Sequence, residues 1–148
     1  MELQLQSRTA ANTVTSYGDD YIEINSEKYH HPIFFRPEGP VSHWQVKGLQ
    51  DITLDSLIEA ASLIKKEQDP FALLNEGSMA PRFDNAPELI LIGTGNRQQF
   101  VPPAVLQPLL DAGIGIECMD TRAAARTYNV LMNENRMVVA ALLVDGLD

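Results

Sequence analysis

The chain has 148 residues, 11 Lys and Arg against 20 Asp and Glu, a formal net charge of −9, and 45% hydrophobic residues. That length corresponds to one ordinary domain, able to bury roughly 68–70% of its unfolded surface with no metal or disulfide to hold it. The composition excludes a disordered chain, and the acidic balance argues against nucleic acid and anionic membranes, which need a positive field.

Cys118 is the only cysteine. It rules out an internal disulfide and a cysteine-rich metal site, and it fits a reducing compartment. The first 20 residues contain no apolar run of the signal-peptide kind, and no window approaches the roughly 20 apolar residues of a spanning helix. The expectation is a cytoplasmic bacterial protein with no membrane insertion. A single domain is expected over 1–148, with its ordered core at about 17–144.

Tyr21, Ile22 and Ile24 begin a β-prone run, Asn25-Ser26-Glu27 supplies turn chemistry, and residues 29–35 return as a second strand. This predicts an N-terminal β-hairpin. Pro32 within the return predicts an edge strand or a bulge. An edge there could support a homodimer; a monomer is the other expected state. Residues 36–40 read as a proline-rich loop, and residues 41–46 as a short strand around Trp44.

Thr53 is a good N-cap. Leu54, Leu57, Ile58, Ala61 and Ile64 recur at helical spacing, which predicts a helix with Lys65 and Lys66 at its C-terminal end, stopped by Asp69-Pro70. Residues 70–87 read mainly as loop, with a turn of helix at 71–75.

From Leu89 the pattern becomes α/β. Leu89-Ile90-Leu91-Ile92 is apolar on both faces, as a buried parallel strand is, and ends at Gly93-Thr94-Gly95. Pro102-Pro103 opens a helix with Val105, Leu106, Leu109 and Leu110 inward, and Gly113 closes it in a left-handed conformation. A strand follows at 114–119. Asp120 or Thr121 caps a third helix to about Asn133, and a last strand spans 137–144. The order predicts an α/β fold with a mixed central sheet and helices on its faces, and right-handed crossovers between parallel strands.

Two features invite chemistry. Gly93-Thr94-Gly95 follows a strand, where phosphate-binding turns occur, but position 98 is Gln and no Gly-Lys-Ser/Thr follows, so neither nucleotide fingerprint is met. Its functional reading is a backbone anion nest; its structural reading is a turn needing flexible residues. Arg122 and Arg126 lie near a helix N-terminus, where the macrodipole disfavours cations by ~0.3–1 kcal/mol each. Arg122, Arg126, Asn129 and Asn133 share one helical stripe. Functionally, Arg126, Thr127 and Arg136 would hold a carboxylate, a phosphate or an acidic partner. Structurally, the arginines would pair with Glu117, Asp120 or Glu134. His30, His31, His43 and Cys118 have no metal-ligand spacing, so no metal or cofactor is expected. Ser42-His43 lacks a nucleophile elbow. Cys118 reads as a small core residue and Trp44 as an anchor.

The run Met119-Asp120-Thr121-Arg122-Ala123-Ala124-Ala125-Arg126-Thr127-Tyr128-Asn129-Val130-Leu131, with Glu134, Arg136 and Val138-Val139-Ala140-Ala141-Leu142-Leu143, resembles the signature of the Mth938-like family. Ile90-Leu91-Ile92-Gly93-Thr94-Gly95, with Phe100 and Pro102, is similar to that family's second signature. The early hairpin and Trp44 fit too, so the resemblance covers about residues 17–144. It implies a single α/β domain and brings no established reaction. One eukaryotic member of the family helps assemble respiratory complex I and another is linked to adipogenesis, which implies protein–protein roles. Cys is expected in many relatives where this chain has Ala125, so a thiol mechanism there is unavailable to it.

The leading expectation is a non-enzymatic interaction or assembly module with an unidentified protein partner. The alternative is a binder of, or enzyme acting on, a small anion. Its pocket would lie between Gly93, Thr94 and Gly95 and the helix start at Asp120, Thr121, Arg122 and Arg126, with Thr127 and Arg136 close by.

Overall fold

The computed structural model describes residues 11–66 and 82–145. The first elements are the strands β1 (Val14–Tyr17), β2 (Ile22–Ile24) and β3 (Glu27–Tyr29), which form an antiparallel sheet in that order. Asn25 and Ser26 both have positive φ, 50° and 71°, so the β2–β3 turn has the backbone hand that matches strand twist. The predicted hairpin is therefore present, but it is shorter, and β1 joins it as an unpredicted third strand.

The return does not run on to Phe35. It stops at Tyr29, and β4 (Ile33–Phe35) belongs to a second, five-stranded sheet. Pro32 sits at this change of sheet, where its missing N–H breaks the ladder. Nor is β4 an edge: it lies between β5 (Ser42–His43) and β10 (Val138–Leu143). The edges near Pro32 are instead β3, the outer strand of the first sheet, and β5, the outer strand of the second. Trp44, just past the two-residue β5, is fully buried, and its indole N–H donates to the Ser56 carbonyl at 3.1 Å.

After a 3₁₀ turn (Leu49–Asp51) comes α1 (Leu54–Ala60). Thr53 caps it in a reciprocal box with Ser56. The helix ends earlier than its apolar stripe. Ser62 turns left-handed (φ 50°), Ser62 N–H donates to Glu59 and Leu63 N–H to Ile58, the Schellman arrangement. Ile64 and Lys65 then form β6, paired with β7 (Phe83–Asp84). Lys65 and Lys66 therefore do not face a helix terminus. The turn of helix predicted at 71–75 lies outside the described residues.

The C-terminal half follows the predicted order: β8 (Leu89–Thr94), α2 (Pro103–Asp111), β9 (Gly115–Met119), α3 (Thr121–Asn133) and β10. The sheet order is β5-β4-β10-β8-β9, with β8 parallel to both β9 and β10 and β4 antiparallel to β10. Gly113 closes α2 at φ 86°. Leu109 is buried as expected, whereas Leu110 points to solvent. Pro108 lies within α2.

Alternation divides the core into two. Ile90, Ile92, Val139 and Ala141 face α1, α2 and Trp44. Leu91, Val138, Ala140 and Leu142 face α3 and the N-terminal sheet, through Ala124, Ala125, Tyr128, Ile22 and Ile24. The helices after β8 and β9 thus cover opposite faces, as right-handed crossovers from β8 to β9 and from β9 back to β10, which run in opposite directions across the sheet, require. Among the described residues, no helix is long and apolar enough to cross a membrane.

The N-terminal sheet is fastened to α3 by polar contacts. Tyr128 donates to the Asn12 carbonyl at 2.7 Å, and burial raises its pKa. Asn129 acts as a strand would: Oδ1 accepts from Val14 N–H at 3.0 Å and Nδ2 donates to Val14 C=O at 2.9 Å. Asn129→Ala strips both partners from Val14. The expected loss is about 1–3 kcal/mol in urea unfolding, with earlier amide exchange in β1. An unchanged midpoint would show that water replaces the amide at no cost.

Candidate functional site

In an open α/β sheet the natural crevice lies beyond the C-terminal ends of adjacent parallel strands whose following helices go to opposite faces. Here those strands are β8 and β9. The bends after Ile92 and Met119 do come together, as the sequence predicts. Thr121 N–H donates to Gly95 C=O and Gly95 N–H to Thr121 Oγ1, both at 2.9 Å. Thr121 Oγ1 in turn donates to Leu143 C=O at 2.6 Å, tying β10 into the same knot. Thr94 Oγ1 donates to Arg97 C=O at 2.7 Å and accepts from Gln99 N–H at 3.1 Å. Thr94 and Thr121 are both buried.

These groups are therefore spent on one another. Gly95 adopts φ 94°, as a nest needs, but Asp145 supplies the anion: its Oδ2 accepts from Asn96 N–H at 3.1 Å. Gly93 is flat in the strand, and its reason for being glycine is space. A Cβ there would lie 2.8 Å from Leu142 Cδ2 and Thr121 Oγ1 and 3.0 Å from Thr121 Cα.

Asp120 is the N-cap of α3, accepting from Ala123 N–H at 2.9 Å. Arg122 pairs with Asp19 in the β1–β2 turn. The void left between that turn, Asn96, Thr121 and Asp145 is about 10 Å³, room for a single water at most. Arg126 is exposed. Its Nη1 donates to Tyr17 OH at 3.0 Å, a contact that keeps the guanidinium charged above its ordinary range. Thr127 turns its hydroxyl to Met119 Sδ at 3.6 Å.

Arg136 does not join this group. It follows the C-terminus of α3, whose 13 residues span roughly 20 Å. There it pairs with Glu88 ahead of β8 at 2.5 Å. The local carboxylates Glu117, Asp120 and Glu134 lie outside ion-pair distance of these arginines, although Asp120 still favours the charged form of Arg126 and Glu134 that of Arg136. The partners that sequence reasoning missed, Asp19, Tyr17 and Glu88, come from distant turns and strands. The stripe of Arg122, Arg126 and Asn129 was the available signal, because it is the face that meets β1 and its turn.

Among the described residues no group of three His, Cys, Asp or Glu side chains is placed to hold a metal. His31 and His43 stack with ring centroids 4.1 Å apart. Cys118 lies half-buried on the edge strand β9, and burial pushes its thiol pKa up.

Residues 14–143 match the family described as protein of unknown function (DUF498/DUF598). The solution structure of a Mth938-like domain from Bordetella pertussis is 49% identical with a TM-score of 0.71, covering 93% of this chain and 89% of that one. The human protein named NADH dehydrogenase [ubiquinone] 1 alpha subcomplex assembly factor 3 is 34% identical over 143 residues, covering 95% of this chain and 66% of that protein. The chain spans 59–66% of the length of the mammalian assembly factors it matches. A Francisella tularensis protein named 13 kDa major membrane protein is 29% identical, covering 97% of this chain and 99% of that one. The match over 14–143 and the likeness in structure agree: the chain belongs to the DUF498/DUF598 family, the Mth938-like domains.

Proposed function

We propose that this protein is an interaction module that helps other proteins assemble, and that the outward face of α3 meets the partner. The observation that carries the proposal is the reach of the likeness to the assembly factors, which extends over nearly the whole chain. The crevice supports it. Its donors serve Asp145, Thr121 and Asp19, so a small anion held by Gly93, Thr94, Gly95 and Arg122, the alternative reading, has to displace two carboxylates of the chain itself. On the outer side of α3, Arg126 is free to meet solvent while steadied by Tyr17, and Val130 is 58% exposed one turn on. An arginine beside an exposed apolar side chain suits a protein interface, where Arg is enriched. The lone thiol suits a cytoplasmic setting for this role.

Affinity capture from native lysate with the full chain and with Arg126→Glu/Val130→Asp tests this. Both side chains are exposed, so the variant is expected to keep the parent's unfolding midpoint. The wild type should retain a stoichiometric partner and the variant at least about tenfold less of it, the effect of a modest hot spot. Equal retention would move the interface off α3, and no partner in either case would overturn the proposal.

A further inference from the structure

At the other end of the sheet, where the parallel strands begin, a cavity of about 750 Å³ opens beside the C-terminal turn of α3. Arg36, Arg136, Asn133 and Asn135 give it polar walls, Met132 and Met137 apolar ones, and Glu38 stands exposed in its lining. Arg36 is the unusual group. It follows β4, and its guanidinium is partly buried. Nη2 donates to the carbonyls of Ala61 and Asn85, the latter at 2.7 Å. Nε is sealed from solvent and has no hydrogen-bond partner. Nη1 has no hydrogen-bond partner among the described residues, and Arg36 is half-buried in the lining of the cavity. No carboxylate pairs with Arg36 among the described residues, and burial lowers its pKa. By contrast Arg136, on the same cavity, is already balanced by Glu88.

A guanidinium drawn out of water without a counter-anion is costly, and an anion brought to it recovers that cost. A planar fork with a free edge matches a carboxylate or phosphate. We propose that this cavity binds a small molecule bearing a carboxylate or phosphate, held by Arg36 Nη1, with the Asn133 and Asn135 amides as further donors and Met132 and Met137 against its apolar part. The site is independent of the α3 interface: neither Arg126 nor Val130 lines it.

The test is NMR titration of the full-length protein with inorganic phosphate and with succinate, each at constant ionic strength. Saturable shifts are expected at the Arg36 side chain and the Asn133 and Asn135 amides. Saturation by phosphate alone assigns a phosphate ligand, and by succinate alone a carboxylate. Arg36→Lys should weaken binding about tenfold, since one charge remains but the fork is lost. If its loss of carbonyl contacts unfolds it, Asn133→Ala, at an exposed position, should still weaken binding severalfold, and unchanged binding there would overturn the site. Shifts that never saturate with either anion, or binding unchanged in a folded Arg36→Lys, would overturn the site.

Discussion

Gly93→Ala should lower stability by about 3 kcal/mol, the upper end of what overpacking costs. The position is held from both sides. Leu142 on β10 and Met119 on β9 are its register partners, and Thr121 crosses above it. Leu142 could turn aside, but Thr121 Cα at 3.0 Å is backbone, and moving it shifts the start of α3. Urea unfolding should show a lower midpoint with an unchanged slope. A loss under ~0.5 kcal/mol, the size of an ordinary surface change, would mean that β8 and α3 are not in such close contact.

Thr121→Val should cost about 2–6 kcal/mol although the side chain keeps its shape. One hydroxyl serves two buried backbone groups, accepting from Gly95 N–H and donating to Leu143 C=O. Valine leaves both unpaired, and each costs about 1–3 kcal/mol. Thr121→Ser keeps the oxygen and should recover most of the stability. The comparison of Val with Ser is decisive, because a packing effect would make Ser the worse of the two. If Ser is worse, the hydroxyl does not close the knot between the strand ends.

Both substitutions act on the C-terminal half, whose organisation is also the most legible in the sequence. The four-residue apolar run at Leu89, the prolines before α2, Gly113 and the Asp120 cap each announce a boundary through their own chemistry. α3 ends at Asn133 as predicted, with Asn135 left-handed beyond it, whereas the end of α1 is not announced. Ser62 takes the left-handed C-cap role that Gly113 takes in α2, and Ser does not declare that conformation as glycine does. The apolar spacing through Ile64 therefore predicts too long a helix. Pro32 predicts an edge strand or a bulge by its own chemistry, whereas in the fold it marks the passage from β3 in one sheet to β4 in the other. That distinction depends on which strand takes β10 as partner, a contact more than 100 residues away in the chain.

The candidate site shows the same division. The meeting of the glycine turn with the start of α3 follows from strand order alone. What fills the space does not, because Asp19 and Asp145 are ordinary surface carboxylates until the fold brings them to Arg122 and Asn96. Arg36 carries no signal in sequence either: it lies in a proline-rich loop, and its lack of a carboxylate partner among the described residues is a property of the packed chain. The expectation of one anion pocket containing both Arg126 and Arg136 gives way to two distant places, one closed by internal acids and one a cavity lined by a guanidinium that has no carboxylate partner among the described residues.

The central claim is that the crevice beyond β8 and β9 is closed by the chain's own groups. The same phosphate and succinate titration reads it directly at the backbone amides of Gly95, Asn96 and Thr121. These three signals should stay fixed, with slow exchange at the buried Gly95, while those lining the distant cavity move. A saturable shift at all three, at either anion, would contradict the account and return the ligand to the glycine turn.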